Sequence, residues 1–126
     1  MPLGRYVEIR GEAFTGQALA GLGGGGIGQN FATPGEPLET KGGWMQVVLR
    51  PAPEWEFGGE WGMEDPENAG LAPGARTRNS TAEGHLIWRP EILRLGIEVR
   101  RTETKYDGPV GSRANTHLNL ALGLDF

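Results

Sequence analysis

The sequence has no cysteine among its 126 residues, which excludes disulfide staples, zinc-ribbon ligation and thiol catalysis. No stretch approaches the run of about 18 apolar residues that a membrane-spanning helix needs. Long helices are disfavoured as well, because Gly (22) and Pro (9) together supply about a quarter of the chain. Basic clusters are missing and the formal net charge is -4, so the electrostatic footprint of nucleic-acid binding is absent. Hydrophobic residues reach only 37%, less than an ordinary globular chain carries. The opening "MPLGRYVEIRGEAF" lacks the basic and apolar regions of a secretory signal. Alternation already begins there at Val7, Ile9 and Gly11, which is the expectation for a chain with further sequence upstream.

What the sequence does have is alternation. Leu118, Leu120, Leu122, Leu124 and Phe126 alternate with His117, Asn119, Ala121, Gly123 and Asp125, the period of a strand with one apolar and one polar face. About six such segments lie near residues 5–15, 41–50, 54–63, 77–89, 92–104 and 114–126. The connections "PAP" and "PEI" read as tight turns, because Pro removes a pairing donor. "EDPENAGLAPGAR" and "KYDGPVGSR" read as long surface loops. Gly23, Gly25 and Gly28 match G-x-G-x-x-G, but Pro34, Gly35 and Pro37 follow where a phosphate-binding helix would have to start, so the run reads as a loop or a kinked strand end.

Parity sorts the side chains. In "EWEFGGEWGM", Trp55, Phe57, Trp61 and Met63 share one face, and Glu54, Glu56 and Glu60 share the other. In "LRLGIEVRRT", Leu93, Leu95, Ile97 and Val99 oppose Arg94, Glu98 and Arg100. The polar rows mix acids and bases, so neighbouring strands can form charge ladders. His85 and His117 have Ser80 and Ser112 as the available hydroxyls, but no recognised nucleophile spacing connects them. No catalytic residue is assigned and an enzyme is not expected. Glu64, Asp65 and Glu67 in "MEDPENAG" lack a calcium-loop spacing and read as solvated carboxylates, so neither metal nor cofactor is expected.

The terminal Phe126, preceded by leucines at every second position, resembles the C-terminal signal of bacterial outer-membrane barrel proteins. "GGWMQVVLRPAPEWEFGGEWGMEDPENA" and "LIWRPEILRLGIEVRRTET" resemble the closing strands of porin-like proteins. That resemblance implies an all-β, antiparallel up-and-down meander of about six strands, a partial or open β-barrel of outer-membrane type. The chain would be a single β-meander domain over residues 1–126, the C-terminal part of a larger transmembrane barrel in the bacterial outer membrane. It would act as a channel segment for passive diffusion of small hydrophilic solutes or ions. Gln46, Arg50, Glu56, Glu60, Glu83, Arg94, Glu98 and Arg100 would line the lumen. Trp55, Trp88 and Phe126 would form an interfacial girdle, with Leu118, Leu120, Leu122 and Leu124 facing lipid. The implied partners are outer-membrane lipid, the barrel-assembly machinery reading Phe126, and further copies of the chain. A second reading of the same alternation is a soluble lipocalin-like β-barrel or curved sheet that binds a small apolar ligand among Trp55, Phe57, Trp61 and the leucines.

Overall fold

Alternating sequence becomes strand over most of the chain. A computed structural model describes residues 1–19, 31–32, 35–67 and 70–125; the glycine run at Gly23, Gly25 and Gly28 and the terminal Phe126 lie outside the described residues. The strands are β1 (Pro2–Leu3), β2 (Val7–Gln17), β3 (Glu39–Ala52), β4 (Trp55–Pro66), β5 (Arg76–Trp88), β6 (Leu93–Tyr106) and β7 (Ser112–Leu124), with a short 3-10 turn at Gly108–Val110 before the last. They form one sheet in the order β1-β2-β3-β4-β5-β6-β7, and every neighbouring pair is antiparallel.

Turn chemistry sets the short hairpins. Ala52 pairs with Trp55, so Pro53 and Glu54 alone span the β3–β4 connection. At the β5–β6 tip the Leu93 N–H donates to the Pro90 carbonyl at 2.8 Å, and Glu91 takes φ +47°, a left-handed conformation that glycine normally fills. The Pro51 position corrects an expectation. Proline was expected to end pairing at Arg50, yet β3 continues to Ala52 through a register shift between Leu49 and Ala52. There Arg50 and Pro51 together oppose Glu56, and this β-bulge places the proline where no ladder donor is required.

The open antiparallel meander is as expected; its outer-membrane type is corrected, because one face buries charge at Glu56 and Glu64 instead of turning it to a water-filled lumen. Among the described residues β1 pairs only with β2 and β7 only with β6, so the sheet they form is open and encloses no lumen. An outer-membrane barrel must close, because hydrocarbon cannot satisfy an unpaired strand edge. The two faces also differ in burial. Substantial contacts occur only between adjacent strands, so no second layer of strands or helices covers either face among the described residues. The polar face is nevertheless the more buried one: Glu56 and Glu64 are buried with Val48, while Met45, Phe57, Trp61, Ile97 and Leu120 on the apolar face are exposed. The sheet therefore curls toward its polar side.

Candidate functional site

Two places on this sheet gather chemistry. The first is the polar face. Strand register brings Glu8 of β2, Arg50 of β3, Glu56 of β4 and the segment after β5 into one row of ion pairs. Arg50 donates from Nη1 to Glu8 (2.9 Å) and from Nε to Glu56 (2.7 Å). Arg89 donates from Nη2 to the same Glu56 oxygen at 3.1 Å, and Arg10 donates to Glu8 at 2.8 Å. The Arg10 and Arg50 guanidiniums hold the Glu8 carboxyl at about 2, well below its usual 4.5. Burial would push the Glu56 carboxyl up, but hydrogen bonds from Arg50 and Arg89 outweigh it and its pKa is lowered. In return, pairing raises the pKa of Arg50, chiefly through Glu8 and then Glu56.

A second cluster continues across β5, β6 and β7. Arg100 reaches Glu83 (3.3 Å) and Glu98 (3.1 Å), and the Asn119 amide donates to Glu98 at 2.9 Å. His85 joins the two clusters, with Nδ1 3.0 Å from Glu83 and Nε2 3.6 Å from Glu56. Its ring lies directly over Gly58, its partner in the β4–β5 register, where a Cβ would run into the imidazole. Gly58 thus creates the seat for His85.

Every residue expected to line a lumen has its partner on this face or at its rim. Gln46 and Glu60 meet at 3.5 Å, Arg50 and Glu56 belong to the first cluster, and Glu83, Glu98 and Arg100 to the second. Arg94 stands apart and pairs with Asp125 at 2.7 Å. These side chains neutralise one another instead of presenting rows of charge to a water column. Together with the open sheet, this mutual pairing corrects the porin-like reading. The passive-diffusion channel falls with it, and so do the bilayer and assembly-machinery partners, the self-associated channel and the outer-membrane location. Among the described residues no group of His, Asp or Glu side chains is placed to hold a metal ion; Asp65 of the acidic loop is engaged by Arg78 at 2.9 Å.

The second place is on the apolar face beside the β3 bulge. Tyr6, Leu49, Pro51 and Phe57 line a cleft of about 350 Å³. Leu49 and Phe57 are direct partners in the β3–β4 register, and the Arg50 N–H donates to the Tyr6 carbonyl at 2.7 Å, which brings Tyr6 alongside. Trp55 stacks on Phe57 (ring centroids 6.1 Å, 17° between planes) and on Trp88 (5.8 Å, 23°). The Arg5 guanidinium lies 4.6 Å from the centre of the Tyr6 ring. Of the expected apolar side chains, Phe57 lines the cleft and Trp55 and Trp88 form the stack behind it. Trp61 is exposed on the same face. Leu118, Leu120, Leu122 and Leu124 lie on β7, outside the cleft, and Phe126 is outside the described residues.

Sequence reading missed Glu8, Arg10, Tyr6 and Pro51 as site members. Glu8 and Arg10 carry a usable signal, because they occupy the polar parity of a segment whose alternation is plain. Tyr6 and Pro51 carry none, since their convergence depends on the bulge. No family model matches the chain, and no curated protein or solved structure matches it.

Proposed function

We propose that this chain is a small-ligand binding domain that takes one apolar or aromatic molecule in the cleft between Tyr6, Leu49, Pro51 and Phe57 and carries out no chemistry on it. One observation carries the reading: an apolar cleft of about 350 Å³ whose walls come from two strands and a turn and are each held in place. That volume lies within the range of small-molecule sites, about 300–1,000 Å³. Leu49 and Phe57 are fixed by the ladder, Pro51 by its ring, and Phe57 additionally by its stack on Trp55. The open sheet encloses no lipocalin-type interior, so the ligand keeps one side in water. Planar rings and short hydrocarbon chains with a polar end suit that geometry, with an affinity of roughly ten micromolar for a ligand only partly enclosed.

The test is a fluorescence titration with 1-anilinonaphthalene-8-sulfonate, following probe emission and the energy transferred from Trp55, one ring away from the cleft. Saturation at one site is expected, with Tyr6→Ala and Leu49→Ala each weakening it about tenfold, a loss near 1.4 kcal/mol, while Met45→Ala on the same face leaves it unchanged. Non-saturating binding, or equal weakening by all three variants, would mean adsorption to the apolar face and would overturn the reading.

A further inference from the structure

β7 is exposed along nearly its whole length, and its backbone pattern specifies what fits its edge. The Asp125 N–H donates to Ile92 O and the Tyr106 N–H donates to Gly111 O, each at 2.8 Å. The β6–β7 register between these bonds runs without a bulge from Leu93↔Leu124 to Lys105↔Ser112. An antiparallel ladder alternates, so odd-numbered β7 residues bond to β6 and even-numbered ones turn their N–H and C=O groups outward. The outward row therefore starts at Ser112 and Ala114, and its longer part belongs to Thr116, Leu118, Leu120, Leu122 and Leu124. Their side chains share the exposed apolar face, so the free hydrogen-bonding groups and the free apolar surface belong to the same residues.

Comparison with β6 shows what is uncovered. Leu95 is 37% exposed and its β7 partner Leu122 is 73%; Ile97 is 41% exposed and its partner Leu120 is 75%. Residue type and face are the same. The difference is that β6 has a strand on both flanks and β7 on one. β7 also lacks the usual edge protection, having no proline, no lysine and no bulge. The opposite edge is different: β1 pairs with the start of β2, Ile9 N–H donates to Met1 O, and the remaining outward positions are Gly11, Ala13 and Thr15. On the polar parity, Arg113 faces Thr104 across the ladder and has no ion-pair partner among the described residues.

We propose that β7 accepts an added strand: an extended peptide segment of a partner protein, with aliphatic side chains at alternate positions and an acidic residue on the other parity where it meets Arg113. The added backbone satisfies the outward row, its aliphatic residues cover the open flanks of Leu118, Leu120 and Leu122, and its carboxylate pairs with Arg113.

The probe is a synthetic peptide of alternating Leu and Thr with Asp at one end, added to the full chain, and the readout is residue-resolved amide hydrogen exchange. Exchange at Leu118, Leu120 and Leu122 is expected to slow about tenfold or more while the β6-bonded amides of Asn119 and Ala121 stay as they were. Two controls separate strand addition from adsorption. The same peptide N-methylated on its β7-facing amides keeps every side chain and should lose the protection. Leu120→Pro removes one outward donor without touching the β6 ladder and should lose it with circular dichroism unchanged. Equal protection by the methylated peptide would overturn the proposal, even where Leu120→Pro fails to fold. Concentration-dependent protection of the same amides without peptide would overturn it too, by making a second copy the occupant.

Discussion

Glu56→Gln is the perturbation that reads the polar face most directly. The Glu56 carboxylate accepts from Arg50 at 2.7 Å and Arg89 at 3.1 Å and lies 3.6 Å from His85. Its side chain is 10% exposed, against 41% for Arg50 and 27% for Arg89. Hydrogen bonds to charged groups contribute about 1.5–3 kcal/mol each, so the two guanidinium contacts have a gross value of roughly 3–6 kcal/mol. Glutamine keeps the volume and one acceptor oxygen, and both guanidiniums can turn partly to water, which returns about half of that value. The expected net loss is about 1.5–3 kcal/mol, read as a lower urea midpoint at unchanged slope, with a melting temperature lower by roughly 8 °C. A double-mutant cycle with Arg89→Gln should show coupling of about 1 kcal/mol, since the two groups touch. A loss under about 0.5 kcal/mol, or strict additivity, would mean that the ion pairs on this face are ordinary surface contacts and that the sheet is held by its backbone ladder alone.

Acid should find the same network. Glu8 titrates near 2 in the folded chain instead of 4.5, and a depressed folded pKa gives stability that is complete above the unfolded value and is lost as pH falls through the folded one. Urea midpoints should therefore decline progressively from about pH 4.5 toward pH 2, and Glu8→Gln should flatten that decline; an unchanged profile would remove Glu8 from the account. Glu91→Gly should move stability upward, because Glu91 holds φ +47° at a cost of about 1–2 kcal/mol for a side-chain-bearing residue. After the extra freedom glycine gains in the unfolded chain, a gain of about 0.5–1 kcal/mol remains, measured by thermal melting; a lower melting temperature would contradict it.

Strands and their pairing in sequence order were legible because alternation has a period of two and every connection is a hairpin, whatever the sheet does afterwards. About six strands are too few to enclose a lumen, so the open sheet was legible; whether it belongs to a barrel was not. Whether such a meander becomes a barrel is decided at β1 and β7, where pairing leaves no mark on residue pattern, and an apolar row with a polar row opposite is common to closed and open sheets. The terminal leucines and the Trp55–Trp88 pair therefore suggested a girdle that the open sheet does not form. Parity counting also fails across a bulge: beyond Leu49 the β3 register slips by one, and the cleft beside Pro51 exists because of that slip. The Arg50–Glu8 pair, 42 residues apart in sequence, required the β2–β3 register before its partners could be matched.

The curl toward the polar side follows from how these charges are spaced. Acids and bases on neighbouring strands attract across the sheet, and long side chains that converge on shared partners draw strand backbones inward over them; small residues at Gly58 and Gly62 leave room for the neighbours' side chains. The apolar side chains on the other face splay outward as a result. The consequence is a division of labour between the faces. On the polar face the Glu8–Arg50–Glu56 and Glu83–Arg100–Glu98 clusters, linked by His85, add side-chain contacts across β2 to β6 to the backbone ladder. The apolar face, which in most sheets supplies cohesion by packing on a second layer, is left open, and the cleft beside the bulge is a concave apolar spot on it. Arg50 ties that cleft to the ion pairs: its backbone N–H holds Tyr6 at the cleft while its guanidinium holds Glu8 and Glu56 on the opposite face, so removing this one residue would loosen both faces at once.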